Sequence, residues 1–170
     1  MSKNFKLTFT AMITALAVVL LYLSSIMPTM RLAFVALAGI IMSAVVIECG
    51  IANAFAGFAA SVVISFLIVP DKGNVLMFTS FFGHYPIVKC LIERIRKLIP
   101  EWIMKLSVFN ISVIAMFILM KTLFAEFIPD KFPMLWVLIL VGSAAFVVYD
   151  MGLTKLITYY MQRLRKYLRR

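Results

Sequence analysis

The sequence predicts an all-α polytopic membrane protein with six transmembrane helices and both termini on the cytoplasmic side. Three observations lead there. Of 170 residues, 64% are apolar and 14% charged; mean hydropathy is +1.06; and the charges collect between long apolar runs. A soluble domain is nearer half apolar and a quarter charged, so a soluble domain, a disordered tail and a disulfide scaffold are excluded. Cys49 and Cys90 stand apart in apolar surroundings and imply no disulfide framework. The chain reads as one integral membrane domain, 1–170.

A membrane helix needs about 20 apolar residues to cross about 30 Å of hydrocarbon. The first such run is about 8–27, closed by Pro28. It is too long for a signal-peptide core, and further spans follow it. Leu32 to Val69 would reach roughly 57 Å as a single helix, nearly twice the bilayer core. Its one ionised residue, Glu48, precedes Cys49 and Gly50, so a tight hairpin there divides it into spans of about 32–48 and 50–69. Pro70-Asp-Lys-Gly-Asn74 is a turn by composition. A fourth span follows over about 75–95, a charged loop with Pro100, and a fifth over about 102–124. The Pro129–Pro133 segment breaks the chain again. The sixth span, about 133–158, continues into a basic end, 159–170.

Charge placement supports the count. Six spans put Lys3, Lys6, the Lys89–Lys105 cations, Lys155 and the C-terminal basic run on one side. Only Arg31, Lys72, Lys121 and Lys131 of the 17 basic residues remain on the other. The positive-inside rule makes the crowded side cytoplasmic. The net charge of +10 is thereby explained by topology rather than by nucleic acid as a partner.

Ionisable groups inside spans are costly and read as functional candidates. His84 falls near the midplane of the fourth span, within Phe81-Phe-Gly-His-Tyr-Pro86. Pro86 lacks an N–H and crowds the carbonyl four residues back, so a kink is expected beside His84. Such a break can line a solute cavity with His84, Tyr85 and Phe81; the alternative is a histidine bonded for packing alone. Lys89 and Asp150 are expected at matching depth, so they either form an ion pair or Lys89 snorkels to the cytoplasm. Glu93, Arg94, Arg96 and Lys97 read as a solvated helix end. Arg31, opening the second span, can bind a carboxylate or phosphate on a solute or anchor headgroups. Asn110 is a further polar candidate for the cavity, and Trp102 and Trp136 fit interfacial belts.

Enzymatic motifs are absent from the sequence. A single histidine gives no His–His metal site, and no Walker loop, Gly-x-Ser-x-Gly elbow or His-Glu-x-x-His occurs. No catalytic residue, metal or other cofactor is expected, and without a nucleotide site the chain cannot power active transport by itself.

The arrangement resembles the substrate-binding S component of energy-coupling factor (ECF) vitamin transporters. The first span carries Phe9-Thr-Ala-Met-Ile-Thr-Ala-Leu16, similar to that family's small-xxx-small signature through Ala11 and Ala15. Pro28-Thr-Met-Arg-Leu32 is similar to its Pro-x-x-Arg approach to the second span. Leu37-Ala-Gly39 and the small-residue third span resemble its Gly/Ala-rich middle. The second hairpin departs from the family's Gly-Pro-x-x-Gly-like turn and reads Ile47-Glu-Cys-Gly50.

The resemblance implies that the chain captures a vitamin-like solute in an outward-facing cavity. It further implies docking, through Ala11 and Ala15, on a transmembrane T component that carries two ATPase subunits, in a bacterial cell membrane. The competing expectation is a non-transporting envelope or cell-shape scaffold resembling the MreD family. A secondary transporter would call for an internal repeat, which the chain does not display.

Overall fold

The computed structural model describes residues 3–95, 97–123 and 135–164. These are almost entirely helical, with no strand among them. Six helical stretches are long and apolar enough to cross a membrane: Lys3–Ile26, Pro28–Cys49, Ile51–Ile68, Lys72–Ile95, Leu98–Leu119 and Ile139–Gln162. Arg96, the Pro129–Pro133 break, Lys131 and the basic run beyond residue 164 lie outside the described residues, as do the side chains of Lys121, Trp136 and Arg163. Two compact units divide the chain, Met1–Ile128 and Pro129–Arg170.

In the first unit, α1 (Lys3–Ile26) starts five residues before the expected span. Hydropathy stops at Thr8, but lysine is a good helix former and its stem can lie along apolar surface, so Lys3 and Lys6 extend the helix. A short 3₁₀ turn at Pro28–Met30 leads into α2 (Arg31–Cys49). The helix ends where the hairpin was expected. Gly50 has φ +87°, a left-handed value that any side chain would strain, and its N–H closes back on the Val45 carbonyl at 3.2 Å. α3 (Ile51–Ile68) begins at the next residue.

α2 is more buried than α1 or α3, and both core clusters of the unit run along it. Its Val35, Ala38 and Met42 form one cluster with Ala17, Leu21, Val75 and Phe78. Its Val45, Val46 and Cys49 form a second with Ala54 and Ile87. α3 presents Ala54, Gly57, Ser61 and Ser65 inward at helical spacing. A Cβ on Gly57 would come within 2.9 Å of the Thr10 side chain, and Thr14 Oγ1 donates to the Gly57 carbonyl at 3.4 Å. Small residues let the two backbones approach closely without lipid between them.

The fourth span is assembled from pieces: α4 (Lys72–Met77), a π segment (Phe78–Phe82), α5 (Tyr85–Ile92) and a 3₁₀ turn (Glu93–Ile95). α6 (Leu98–Leu123) starts before the expected Trp102 and takes Pro100 into its first turn. A proline is tolerated there because the first N–H groups of a helix have no intrahelical partner.

The ends of the unit are tied by polar contacts. At one end Asn74 Nδ2 donates to Ser24 Oγ at 2.9 Å, and the Asp71 N–H donates to Ser25 Oγ at 3.4 Å. At the other, Cys49 Sγ lies 3.6 Å from the Lys6 carbonyl. The N-terminus of α1 and the 48–50 hairpin therefore share an end, as the charge count required.

In the second unit, α7 (Leu135–Tyr159) runs into a π segment, Tyr160–Leu164. Phe146, Asp150 and Leu153 are buried and share one helical face. Thr154 Oγ1 donates to the Asp150 carbonyl at 2.8 Å.

Candidate functional site

The site expected from the sequence centres on the break in the fourth span. Asp71 caps α4, its carboxylate accepting from the Gly73 N–H at 3.0 Å. The helix then widens: the Gly83 N–H donates to the Phe78 carbonyl at 2.7 Å, a bond five residues back in place of four. α5 restarts with Pro86 in its first turn. The cause is local. Proline has no N–H for the Phe82 carbonyl four residues earlier. That carbonyl instead faces α2 so closely that a Cβ on Gly39 would stand 2.4 Å from it, which leaves room for a glycine hydrogen alone. Gly83 is similarly enclosed, since a Cβ there would lie 2.6 Å from the Phe58 ring and 2.8 Å from the Phe78 ring.

His84 sits near the middle of Lys72–Ile95 and is half-buried. Its Nδ1 is 3.1 Å from the Thr79 carbonyl. A carbonyl only accepts, so Nδ1 carries a proton in this contact. The imidazole edge meets Phe58 with centroids 6.0 Å apart. Phe81 is buried and gathers three rings, Phe82 at 5.0 Å, Tyr85 at 4.9 Å and Phe109 at 5.2 Å. Phe109 belongs to α6, which thus packs on the π segment. Tyr85 is fully buried.

Asn110, next to Phe109, donates through Nδ2 to the Leu106 carbonyl at 2.9 Å, while its Oδ1 is buried with no hydrogen-bond partner. Ser80 Oγ, on the π segment, is likewise buried and unpartnered. Buried polar atoms are nearly always satisfied by protein, water or ligand, so each of these two atoms is a site where a partner is expected.

Phe81, His84 and Tyr85 thus share the break, and Asn110 stands beside Phe81's α6 partner. Arg31 is elsewhere. Its guanidinium is 3.1 Å from Asp71, beside the start of α4, in a half-exposed pair. Lys89, 1% exposed, is 2.6 Å from Glu93. Asp150 lies in the second unit, so its pairing with Lys89 stays an expectation. Ala11 and Ala15 are exposed on α1, on the side away from buried Thr10, Thr14, Ala17 and Leu21.

Sequence reasoning missed Ser80, Phe58 and Lys105. Ser80 is four residues before His84, a helical neighbour that spacing alone could flag. Phe58 carries no such signal, because only the fold brings α3 to the break. Lys105 is almost fully buried, 3.0 Å from Glu93 and 2.7 Å from Glu101, and the Glu101–Lys105 spacing of four could have revealed half of that arrangement. The Glu93 side of the presumed solvated helix end is therefore engaged in ion pairs. Trp102 lies against Lys105, whose Nζ is 5.6 Å from the ring centroid.

Among the described residues, no cluster of three or more His, Cys, Asp or Glu side chains could hold a metal ion. The chain matches no family model, and neither a curated protein nor a solved structure matches it.

Proposed function

We propose that the chain is a solute-binding membrane subunit that captures a vitamin-like small molecule, in the manner of an ECF S component. In this reading uptake is driven by ATP hydrolysis in separate subunits, on a T component docked against the Ala11 and Ala15 face. The chain itself binds and does not catalyse, and it resides in a bacterial cell membrane with both termini inside.

The observation that carries the reading is the interrupted fourth span. Opening a helix near mid-membrane costs backbone hydrogen bonds, and such breaks are tolerated where they line a cavity or are enclosed by protein. Here the break holds the His84 ring and the buried, unpartnered Oγ of Ser80, and the residue after its α6 contact Phe109, Asn110, carries a second unpartnered atom. Arg31 contributes to solute entry only if Asp71 releases it.

The test is to purify the chain in mild detergent and identify any retained small molecule by native mass spectrometry. A vitamin-sized adduct is expected. His84→Ala should weaken its binding about tenfold, the worth of one hydrogen bond of about 1.4 kcal/mol. An unchanged affinity removes His84 from the site. Ala11→Phe with Ala15→Phe should abolish uptake and spare binding; uptake that survives both changes refutes docking on this face.

The scaffold reading, MreD-like and non-transporting, is favoured by two features. The Arg31–Asp71 pair and the full burial of Tyr85 are what a closed structural element would have. A preparation that retains no small molecule, together with uptake unaffected by loss of the protein, would support it.

A further inference from the structure

The end of the first unit formed by the start of α1, the 48–50 hairpin and the α5–α6 elbow distributes its charge unevenly. Phe9, Ile87, Cys90 and the last turn of α2 pack together there. Two lysines point inward, Lys89 and Lys105, 1% and 2% exposed. They occupy both carboxylates of the elbow: Glu93 lies 2.6 Å from Lys89 and 3.0 Å from Lys105, and Glu101 lies 2.7 Å from Lys105. The remaining described carboxylate of this end, Glu48, is buried.

What faces outward is cationic. Arg94 and Lys97 are exposed, as is Lys3 on the first turn of α1. Beside Arg94 and Lys97 stand Leu91, Ile95, Leu98 and Ile99, of which the last two are each 76% exposed. Aliphatic side chains alternating with cations, at the junction of two membrane-length helices, form the pattern of an interfacial element. Its apolar part lies at the acyl boundary and its charges at headgroup depth.

We infer that the α5–α6 elbow binds anionic phospholipid headgroups, with Arg94 and Lys97 on the phosphate and Leu91, Ile95, Leu98 and Ile99 among the acyl chains. Guanidinium and ammonium donors match phosphate oxygens. A cation beside an anionic leaflet contributes about fivefold to association. The internal pairing of Glu93 and Glu101 is what makes the site selective. With both carboxylates turned onto buried lysines, no described acid of the elbow competes with the phosphate. The inference depends on the membrane assignment and is independent of solute binding.

The test places the full chain in nanodiscs of phosphatidylcholine, or of equal parts phosphatidylcholine and phosphatidylglycerol, and counts lipids retained on release by native mass spectrometry. Phosphatidylglycerol should be retained in preference by about tenfold or more, weakening as salt is raised. The double variant Arg94→Gln, Lys97→Gln should bring the two lipids close to parity. Both side chains are exposed, so its thermal midpoint in phosphatidylcholine should match the parent's. A variant carrying Leu98→Ser and Ile99→Ser should lower total lipid retention and keep the preference for the anionic lipid. Parity in the parent protein overturns the inference, as does a preference that survives the double variant. Should the double variant keep its lipid preference and lose a co-purifying protein subunit, the elbow belongs to an acidic protein partner instead.

Discussion

Where α1 finishes and α2 and α4 begin, each described cation has an acceptor at hand. Arg31 lies 3.1 Å from Asp71, and Lys72 Nζ donates to the Phe66 and Val69 carbonyls at 2.6 and 2.8 Å, capping the end of α3. At the opposite end, acids and cations are sorted by depth: Glu93 and Glu101 hold buried lysines, while Arg94 and Lys97 face outward. The first end closes a turn with shallow contacts. The second buries its lysines, and each ammonium group depends on its carboxylates because solvent cannot replace them. The same residue types thus serve as caps at one end and as structural posts at the other.

The largest effect should come from Glu93→Gln, which withdraws one carboxylate from two buried ammonium groups. Breaking a buried pair from one side typically costs about 3–5 kcal/mol. Partial exposure of Glu93 and the retained Glu101 bond place the expected loss near the bottom of that range. Thermal unfolding in a single detergent would measure it.

An intermediate loss, about 1–2 kcal/mol, is expected for Ser24→Ala, since the buried Asn74 amide would lose the hydroxyl it donates to. Arg31→Gln should cost least, under about 1 kcal/mol, because its pair is half exposed and solvent can substitute. If Arg31→Gln proved as damaging as Glu93→Gln in the same assay, the contrast between a shallow end and a deep end would be void.

The features legible in the sequence are those carried by local signals. Pro28, Gly50 and Pro70 each punctuate the chain through their own backbone chemistry, and the helices end beside them; the expected Pro70–Asn74 turn is shorter, because Asp71 caps α4 and Lys72–Asn74 are already helical. Pro86 likewise announced a break, because a missing N–H acts at a known distance along the helix. How the break is accommodated could not be read: widening into a π segment depends on Gly39 of another helix receiving the Phe82 carbonyl. Boundaries drawn from hydropathy erred where helix propensity outlasts it, as at Lys3–Leu7, and where proline is harmless, as at Pro100 in the first turn of α6. At the candidate site, Phe81, His84 and Tyr85 were found because they neighbour one another in sequence. Phe58 was not, because α3 reaches the break only through tertiary packing, with Gly57 against α1 and Ala54 against α2. Lys105 was not singled out for a related reason, since its bond to Glu93 spans a turn that periodicity does not cross.

The carboxylate shared by Lys89 and Lys105 bears on how the chain enters the bilayer. A lysine reaching hydrocarbon alone carries a transfer cost of about 2.5–3.5 kcal/mol at the centre of a span, less toward its ends. Lys89 belongs to the fourth candidate span and Lys105 to the fifth, yet both lean on Glu93. Each lysine brings one carboxylate on its own helix, Glu93 for Lys89 and Glu101 for Lys105, four residues away, and only the Glu93–Lys105 bond waits for the two helices to meet. Each span therefore carries its lysine into the bilayer already paired, and the shared carboxylate latches the two helices together once they lie side by side.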